Sequence, residues 1–222
     1  MRQPPVSDQA AYCTPMVAFL ALTWLGGNSP GLYLSSYVAK TVIVGSMLVY
    51  FWPKYTAIRW THLWLGVIAG IIGVFQWVGM QLWLQDHWEV FRPAAGKFQP
   101  TEYFTTQWGL VAFLTIRIIG AVVVVPVMEE LFWRDFLWRT CSTREPFKTE
   151  PVGVWNVQAF AVVCLAFASV HGNWWLTSII WAGMIGGLLV YTKSLGACII
   201  AHAVTNLLLA GYVMGTRDWS FW

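Results

Sequence analysis

The sequence predicts an all-α membrane protein, a polytopic transmembrane helix bundle of about seven spans, with six to eight possible. Of its 222 residues, 58% are hydrophobic and only 10% are charged, whereas soluble proteins average about 45 to 50% apolar and about 25% charged residues. The 16 tryptophans point the same way, because the amphipathic indole ring favours membrane–water boundaries, where we expect much of it to form interfacial belts. Long apolar stretches separated by loops rich in Gly, Pro and charge complete the pattern.

Seven apolar stretches are candidate spans, since about 20 mainly apolar residues cross roughly 30 Å of hydrocarbon. The first is short and has the length of a signal peptide, but it lacks a clear cleavage site, so we interpret it as an uncleaved span. The seven stretches are Pro15–Gly27, Tyr33–Trp52, His62–Leu84, Trp108–Trp138, Val154–Val170, Trp175–Tyr191 and Leu195–Met214.

The fourth stretch, Trp108–Trp138, has about 31 residues and is too long for one untilted crossing at about 1.5 Å per residue. If the crossing runs from near Arg117 to near Trp138, Arg117 snorkels to one membrane boundary and Glu129 lies close to the midplane. The residues before Arg117 would then form an interfacial or separate lead-in.

Basic residues divide between the two ends of the predicted bundle. Cytoplasmic loops carry the Lys and Arg excess, and with seven spans the larger group shares one side with the N-terminus. The N-terminus is therefore predicted to be cytoplasmic. The larger group is Arg2, Lys54, Arg59, Arg139, Arg144, Lys148 and Lys193, and the smaller group is Arg92, Lys97 and Arg217.

Charge and cysteine content argue against two other classes of protein. The formal net charge is only +3, and the basic residues are scattered in short loops, so no nucleic-acid-binding surface is predicted. The cysteines have neither CxxC nor Cys/His spacing, which indicates neither a zinc finger nor a disulfide framework. They are Cys13, Cys141, Cys164 and Cys198.

Four ionisable side chains lie close together in the apolar fourth stretch, in VVVVPVMEELFWRDFLW. A charge at mid-membrane costs at least a few kcal/mol, so such residues usually face a cavity or each other. Glu130 and Arg134 are spaced i,i+4, in the order that favours an ion pair. Glu129 lies about 100° away round the helix and is left free to face a cavity.

Two further polar stretches lie in separate predicted spans. FASVH ends in His171, and HAVTN places His202 and Asn206 on one helical face. Each stretch alone has a structural interpretation: a polar cluster that includes Asp135, a boundary histidine, or a hydrogen-bonded link between helices. Together, the structural interpretations require that polar side chains were placed in the membrane core three times independently, at a cost each time. A catalytic interpretation requires only one site.

The three stretches, in this order, resemble the EExxxR, FxxxH and HxxxN/D motifs of the CAAX protease and bacteriocin-processing family. The matching residues are EELFWR at 129–134, FASVH at 167–171 and HAVTN at 202–206. That family comprises glutamate-type intramembrane endopeptidases, including the Ras-converting CAAX prenyl proteases. The resemblance covers about Pro126 to Leu209. It implies a catalytic transmembrane core at 117–214, preceded by transmembrane helices at 1–116 and followed by a tail at 215–222.

The resemblance implies catalysis by six matching residues without a cofactor. The general base, sharing a water with His171, would be Glu129. The tetrahedral oxyanion would receive hydrogen bonds from His202 and Asn206. The two residues that would orient the site and balance its charge are Glu130 and Arg134.

A narrower resemblance joins VVPVMEELFWRDFLWR and the ending DWSFW to the bacterial CAAX prenyl protease-related subgroup, which is associated with exosortase protein sorting. It implies a multi-pass protein of the bacterial cytoplasmic membrane that cuts a membrane-anchored protein or peptide near its C-terminus. Its partners would be the lipid bilayer and exosortase-system proteins, and its natural substrate would not be prenylated. SVHGNWW departs from the version expected in that subgroup, although the histidine is in place.

Three other functions stay open. Two Glu and two His could bind zinc, although Asn206 is a poor zinc ligand and the sequence has no HExxH motif. The chain could be a non-catalytic peptide-binding membrane partner, an immunity or sorting accessory that keeps the family fold. It could also be a small transporter with an intramembrane carboxylate relay.

One geometric conflict follows from the predicted spans. With straight, alternating helices, His171 and His202 would lie most of a membrane thickness apart. Either the helices around HGNWW and SLGAC are tilted, short or broken, which membrane proteins tolerate where the backbone lines a cavity, or the span limits differ from those predicted.

Overall fold

Most of the described part of the chain is helical. The computed structural model describes residues 7–93 and 99–222, and no strand occurs within them. Six helical segments are long and apolar enough to cross a membrane, and one further apolar helix is shorter. The predicted all-α polytopic bundle is therefore confirmed. The seven helices are α1 (Asp8–Asn28), α2 (Tyr33–Phe51), α3 (Leu63–His87), α4 (Gln107–Ser142), α5 (Val157–Ser169), α6 (Trp175–Thr192) and α7 (Leu195–Thr216).

Side-chain caps fix where four of these helices begin. Helix starts leave backbone N–H groups without helical partners, and a polar side chain at the cap satisfies one of them. Asn156 Oδ1 accepts from the Ala159 N–H at 3.0 Å and starts α5, and Ser194 Oγ accepts from the Ala197 N–H at 3.2 Å and starts α7. Ser7 and Thr106 cap α1 and α4 in the same way.

The fourth predicted stretch is one continuous helix, α4, of 36 residues. At about 1.5 Å per residue it is about 54 Å long, so it tilts or extends beyond the hydrocarbon. The expectation of a separate lead-in before Arg117 is therefore wrong, and its interfacial alternative stays a prediction. Arg117 is also only 4% exposed, because its guanidinium donates to the Tyr33 hydroxyl and stacks over the Tyr37 ring instead of reaching a boundary.

Two wide turns interrupt α4 on either side of the paired glutamates. Gly120–Val124 and Leu131–Leu137 are π-helical. The first precedes Pro126, whose ring clashes with the carbonyl four residues earlier in a regular α-helix. Such π-turns commonly occur at functional sites, and here they bracket Glu129 and Glu130.

α7 lies against α3 along a row of glycines. A Cβ atom at Gly66 would lie 2.5 Å from the Ala197 carbonyl oxygen, and one at Gly70 would lie 2.6 Å from the Ala201 carbonyl oxygen. The missing side chains let the two helix backbones approach closely, as small residues do between membrane helices. This packing sets the position of the α7 face that carries His202.

A hydrogen-bonded network connects α1 and the loop after α2 to the C-terminal part of α4. Asp135 is fully buried, accepts from the Tyr12 hydroxyl at 2.7 Å and pairs with Arg139. Arg139 also donates to Thr56 Oγ1 at 2.9 Å and to the Glu150 carbonyl at 2.6 Å. Asp135 is thus part of a satisfied structural network.

The described basic residues divide between the two ends of the bundle as predicted. Lys148 Nζ donates to the Lys54 carbonyl at 2.6 Å, and the Arg59 carbonyl accepts from Ser194, next to Lys193. At the other end, the Arg92 carbonyl accepts from Asn173. Arg2 and Lys97 lie outside the described residues, and the membrane side that each end faces stays a prediction.

Candidate active site

Four of the six candidate residues line one cavity. It has a volume of about 130 Å³, and its wall includes Glu129 from α4, His171 from the turn after α5, and His202 and Asn206 from α7. Residues more than seventy positions apart in the sequence thus meet at one place inside the bundle.

The short α5 resolves the conflict between the two histidines. It has 13 residues and is about 20 Å long, too short to cross about 30 Å of hydrocarbon. The predicted span Val154–Val170 is therefore wrong in its limits. The chain leaves α5 at Ser169 and turns at Gly172, which has a φ of +53°. His171 therefore remains inside the bundle, where it can share a cavity with His202.

The other two candidate residues lie behind the cavity wall. Glu130 and Arg134 are both fully buried, with Arg134 Nε 3.2 Å from Glu130 Oε2, so the predicted ion pair is confirmed. The guanidinium lies beside the stacked Phe167 and Trp181 rings, 5.1 and 5.4 Å from their centroids. Arg134 thereby supplies a positive charge next to the cavity without lining it.

Glu130 also holds His202. Its Oε1 lies 2.9 Å from His202 Nδ1. Because a carboxylate only accepts hydrogen bonds, Nδ1 must be the donor. The ring orientation is fixed, and its Nε2 remains for the cavity.

His171 is held by its own helix. Its Nδ1 lies 2.6 Å from the Phe167 carbonyl oxygen, and a carbonyl only accepts, so Nδ1 carries the proton and Nε2 has the lone pair in the neutral ring. The imidazole stacks on the Phe167 ring at 4.2 Å and meets the edge of Trp77 at 5.8 Å. His171 therefore offers a proton acceptor in a fixed direction.

Asn206 links α7 to the first π-turn of α4. Its Nδ2 donates to the Ala121 carbonyl at 2.7 Å. In this turn the Val125 N–H bonds to the Gly120 carbonyl, five residues earlier. The next donor in that pattern would be Pro126, which has no N–H, so Asn206 supplies the donor that the proline lacks. The Nδ2 amide of Asn206 carries a second N–H, which this hydrogen bond does not use.

Glu129 is the acidic side chain of the cavity wall, and it is 7% exposed. His202, Glu130 and Arg134 all lie close enough to act on it electrostatically. The division predicted from the helical spacing is therefore confirmed in its geometry: one glutamate is paired, and its neighbour faces a cavity.

The sequence interpretation missed the aromatic wall of the cavity. Trp77 and Trp181 both line it, although the tryptophans had been assigned mainly to interfacial belts. Trp133 and Trp138 are also buried. Trp77 could have been recognised, because it lies near the middle of α3 and far from either helix end.

A zinc site is the alternative interpretation of the side chains in this cavity. Within 7–93 and 99–222, no three His, Cys, Asp or Glu side chains are grouped so that they could hold a metal ion. The cavity has three such side chains in its wall, with Asn206 as the fourth polar residue.

Comparison with known proteins gives one match. Residues 111–208 match the model of a family described as Rce1-like, Type II CAAX prenyl endopeptidase Rce1-like. The match covers less than half of the chain, but it includes all six candidate residues. No curated protein and no solved structure matches the chain.

Proposed function

We propose that the protein is an intramembrane endopeptidase of the CAAX protease type, which hydrolyses a peptide bond with a water activated by Glu129 and His171. The observation that carries this proposal is the cavity in which Glu129, His171, His202 and Asn206 meet. The similarity of residues 111–208 to Rce1-like endopeptidases supports it.

Glu129 is the general base in this proposal. Water attacks the scissile carbonyl carbon as its proton passes to the Glu129 carboxylate, and the proton is then delivered to the leaving amine. A carboxylate withdrawn from bulk water is a stronger base than an exposed one. His171 Nε2 accepts the second hydrogen of the same water and so fixes the direction of attack.

His202 and Asn206 stabilise the tetrahedral intermediate. The Glu130 carboxylate holds His202 Nδ1, so Nε2 is directed to the cavity, and the protonated ring would donate its Nε2–H to the oxyanion. The second N–H of Asn206 supplies another donor, while the first holds Ala121. Each donor aimed at developing charge contributes a few kcal/mol in a site that excludes water.

Arg134 keeps the cavity electrostatically balanced. Two adjacent carboxylates repel each other, and the buried guanidinium beside Glu130 offsets one negative charge. Glu129 can then ionise without a second unpaired carboxylate next to it.

The substrate class follows from the location of the site. A cavity among membrane-spanning helices favours a membrane-anchored protein or peptide, and the sequence resemblance to CAAX proteases favours a cut near its C-terminus. The resemblance to the exosortase-associated subgroup favours a sorting substrate in the bacterial cytoplasmic membrane. The distribution of basic residues favours an N-terminus in the cytoplasm.

The test is cleavage of membrane-anchored C-terminal peptides, both prenylated and sorting-signal types, by the purified protein in lipid. Wild type should release a defined product with or without a chelator, and His171→Gln should lose most activity. The matched control is His87→Gln, because His87 makes the same contact to a carbonyl four residues earlier but is exposed at the end of α3 and does not line the cavity.

The outcomes separate the alternatives. Activity lost with chelator and restored by zinc would replace the metal-free mechanism. If no peptide is cut, and the His171→Gln chain still supports its cellular function, the protein is a non-catalytic binding partner instead.

A further inference from the structure

Lys40 is a cation inside a membrane-spanning helix that the proposed reaction does not use. It lies in α2, seven residues after Tyr33 and therefore about 10 Å along the helix. Charged residues at such positions are costly, so they usually mark a functional site. Its role requires a physical explanation.

The local contacts of Lys40 include no carboxylate within ion-pair distance among the described residues. Nζ donates to Thr23 Oγ1 at 3.2 Å and lies over the Phe19 and Tyr37 rings, 4.8 and 4.3 Å from their centroids. Throughout the described chain, Lys40 forms no other hydrogen bond and no ion pair with a carboxylate. An ammonium has three N–H donors, so two of them are not accounted for by protein groups.

A narrow cleft lies beside Lys40 and shares one wall residue with the catalytic cavity. Its wall includes Lys40, Tyr37, Gly120 and Val125, and its volume is about 10 Å³, which is room for about one water-sized polar group. Val125 also lines the cavity that contains Glu129. Val125 thus forms part of the wall of both the cleft and the cavity, and it lies one helical turn before Glu129, the proposed base.

The electrostatic surroundings favour an anion at this position. Lys40 lies close enough to Glu129 for attraction and close enough to Arg117 for repulsion. Both cations lie over the same Tyr37 ring, with the Arg117 guanidinium carbon 4.5 Å from its centroid. An anion bound at Lys40 would reduce the repulsion and complete the donor set of the ammonium.

We propose that Lys40 binds the free C-terminal carboxylate of the peptide substrate, and so places the scissile bond a few residues upstream of that carboxylate at Glu129. This inference rests on the proposed peptidase function. Four helical residues from Val125 to Glu129 span about 6 Å, roughly two residues of extended peptide. A peptide held at both points would therefore extend only a short distance beyond the cleavage site.

The experiment compares two forms of one lipid-anchored peptide with an aliphatic C-terminus, one ending in a carboxylate and one in a carboxamide. Binding to the protein in nanodiscs is measured by fluorescence anisotropy, and cleavage is measured in parallel by mass spectrometry. Wild type should bind the carboxylate form about tenfold or more tightly, since hydrogen bonds to charged groups contribute that much. Lys40→Met should abolish the difference by weakening only the carboxylate form.

Three controls keep the comparison specific. Lys40→Arg keeps a cation and should retain most of the preference. Thr23→Val removes the hydroxyl beside Nζ but leaves the charge, and Lys54→Met removes a charge at the far end of α2, so both should retain it. The melting temperature of each variant shows whether it is folded.

The result that overturns the inference is equal binding of the two forms by wild type, or an equal loss of both forms in Lys40→Met. The latter would indicate a general electrostatic effect on Glu129, or a lipid phosphate at Lys40. Because binding is measured separately from cleavage, a preference for the carboxylate without any product would support the Lys40 site while contradicting the peptidase proposal.

Discussion

His202 Nδ1 lies 2.9 Å from Glu130 Oε1, and both side chains are buried between α4 and α7. The same carboxylate lies 3.2 Å from Arg134 through its other oxygen. Glu130 therefore connects an imidazole that lines the cavity to a guanidinium that does not. The Glu130 carboxylate accepts the hydrogen bond from His202 and offsets the charge of Arg134. Replacing Glu130 therefore tests how the site is organised.

Replacing Glu130 with Gln should lower kcat by about 10- to 100-fold, the usual effect of removing a group that orients a functional histidine. The amide oxygen can still accept from Nδ1, but the negative charge beside the imidazole is lost. KM should change little, because Glu130 does not line the cavity. Single-turnover cleavage on folded protein measures the effect, and Glu145→Gln, on an exposed loop, is the control. An unchanged kcat would show that the charge of Glu130 has no part in catalysis.

Replacing Gly70 with Ala should destabilise the bundle by about 1 to 3 kcal/mol, the usual range for an overpacked interface. The new Cβ would lie 2.6 Å from both the Ala201 carbonyl oxygen and Val204 Cβ, so α7 must shift together with His202. Both the melting temperature in lipid and the cleavage rate should fall.

Gly79→Ala is the matched control for that substitution. Gly79 lies in the same helix, and nothing lies within 4 Å of its added Cβ. This variant should keep its activity and gain slightly in stability, since Ala favours a helix more than Gly does. Equal effects of the two substitutions would contradict the close packing of α3 on α7.

Replacing Tyr12 with Phe should lower stability by about 1 to 3 kcal/mol, because buried Asp135 loses a hydrogen-bond donor. The hydroxyl lies 2.7 Å from Asp135 Oδ2. Neither residue lines the cavity, so the activity per folded molecule should stay the same. Chemical or thermal unfolding in lipid measures the change, with Tyr50→Phe as control because Tyr50 is 73% exposed. A folded Tyr12→Phe protein with a much lower kcat would place this network in the reaction.

The local relationships within α4 were predictable from its sequence. The Glu130–Arg134 pair depends only on i,i+4 spacing, and the separate direction of Glu129 depends only on the helical angle between neighbours. Both depend on one helix, and the structure agrees with both. The span pattern was predictable for the same reason, since each span is long and apolar within its own segment.

Relationships between segments were harder to predict. The row of glycines in α3 has its effect only where α7 lies against it, and the two helices are far apart in sequence. The sequence allowed a separate lead-in before Arg117 and placed Arg117 at a membrane boundary. Both expectations were wrong, because they assumed that an arginine lies near a boundary. Here Tyr33, Tyr37 and Trp222 enclose it. The donation from Asn206 to Ala121 likewise requires a π-turn that spacing alone does not indicate.

Cleavage by the Glu129→Gln variant tests the central claim most directly. The amide keeps the size of the side chain but cannot take a proton from water. Wild type and variant are compared in lipid on the same membrane-anchored peptide, with product identified by mass spectrometry and folding checked by melting temperature. The account predicts a rate about 10²- to 10⁴-fold lower, the usual contribution of a general base. A folded Glu129→Gln protein that cuts the peptide at the wild-type rate would contradict it.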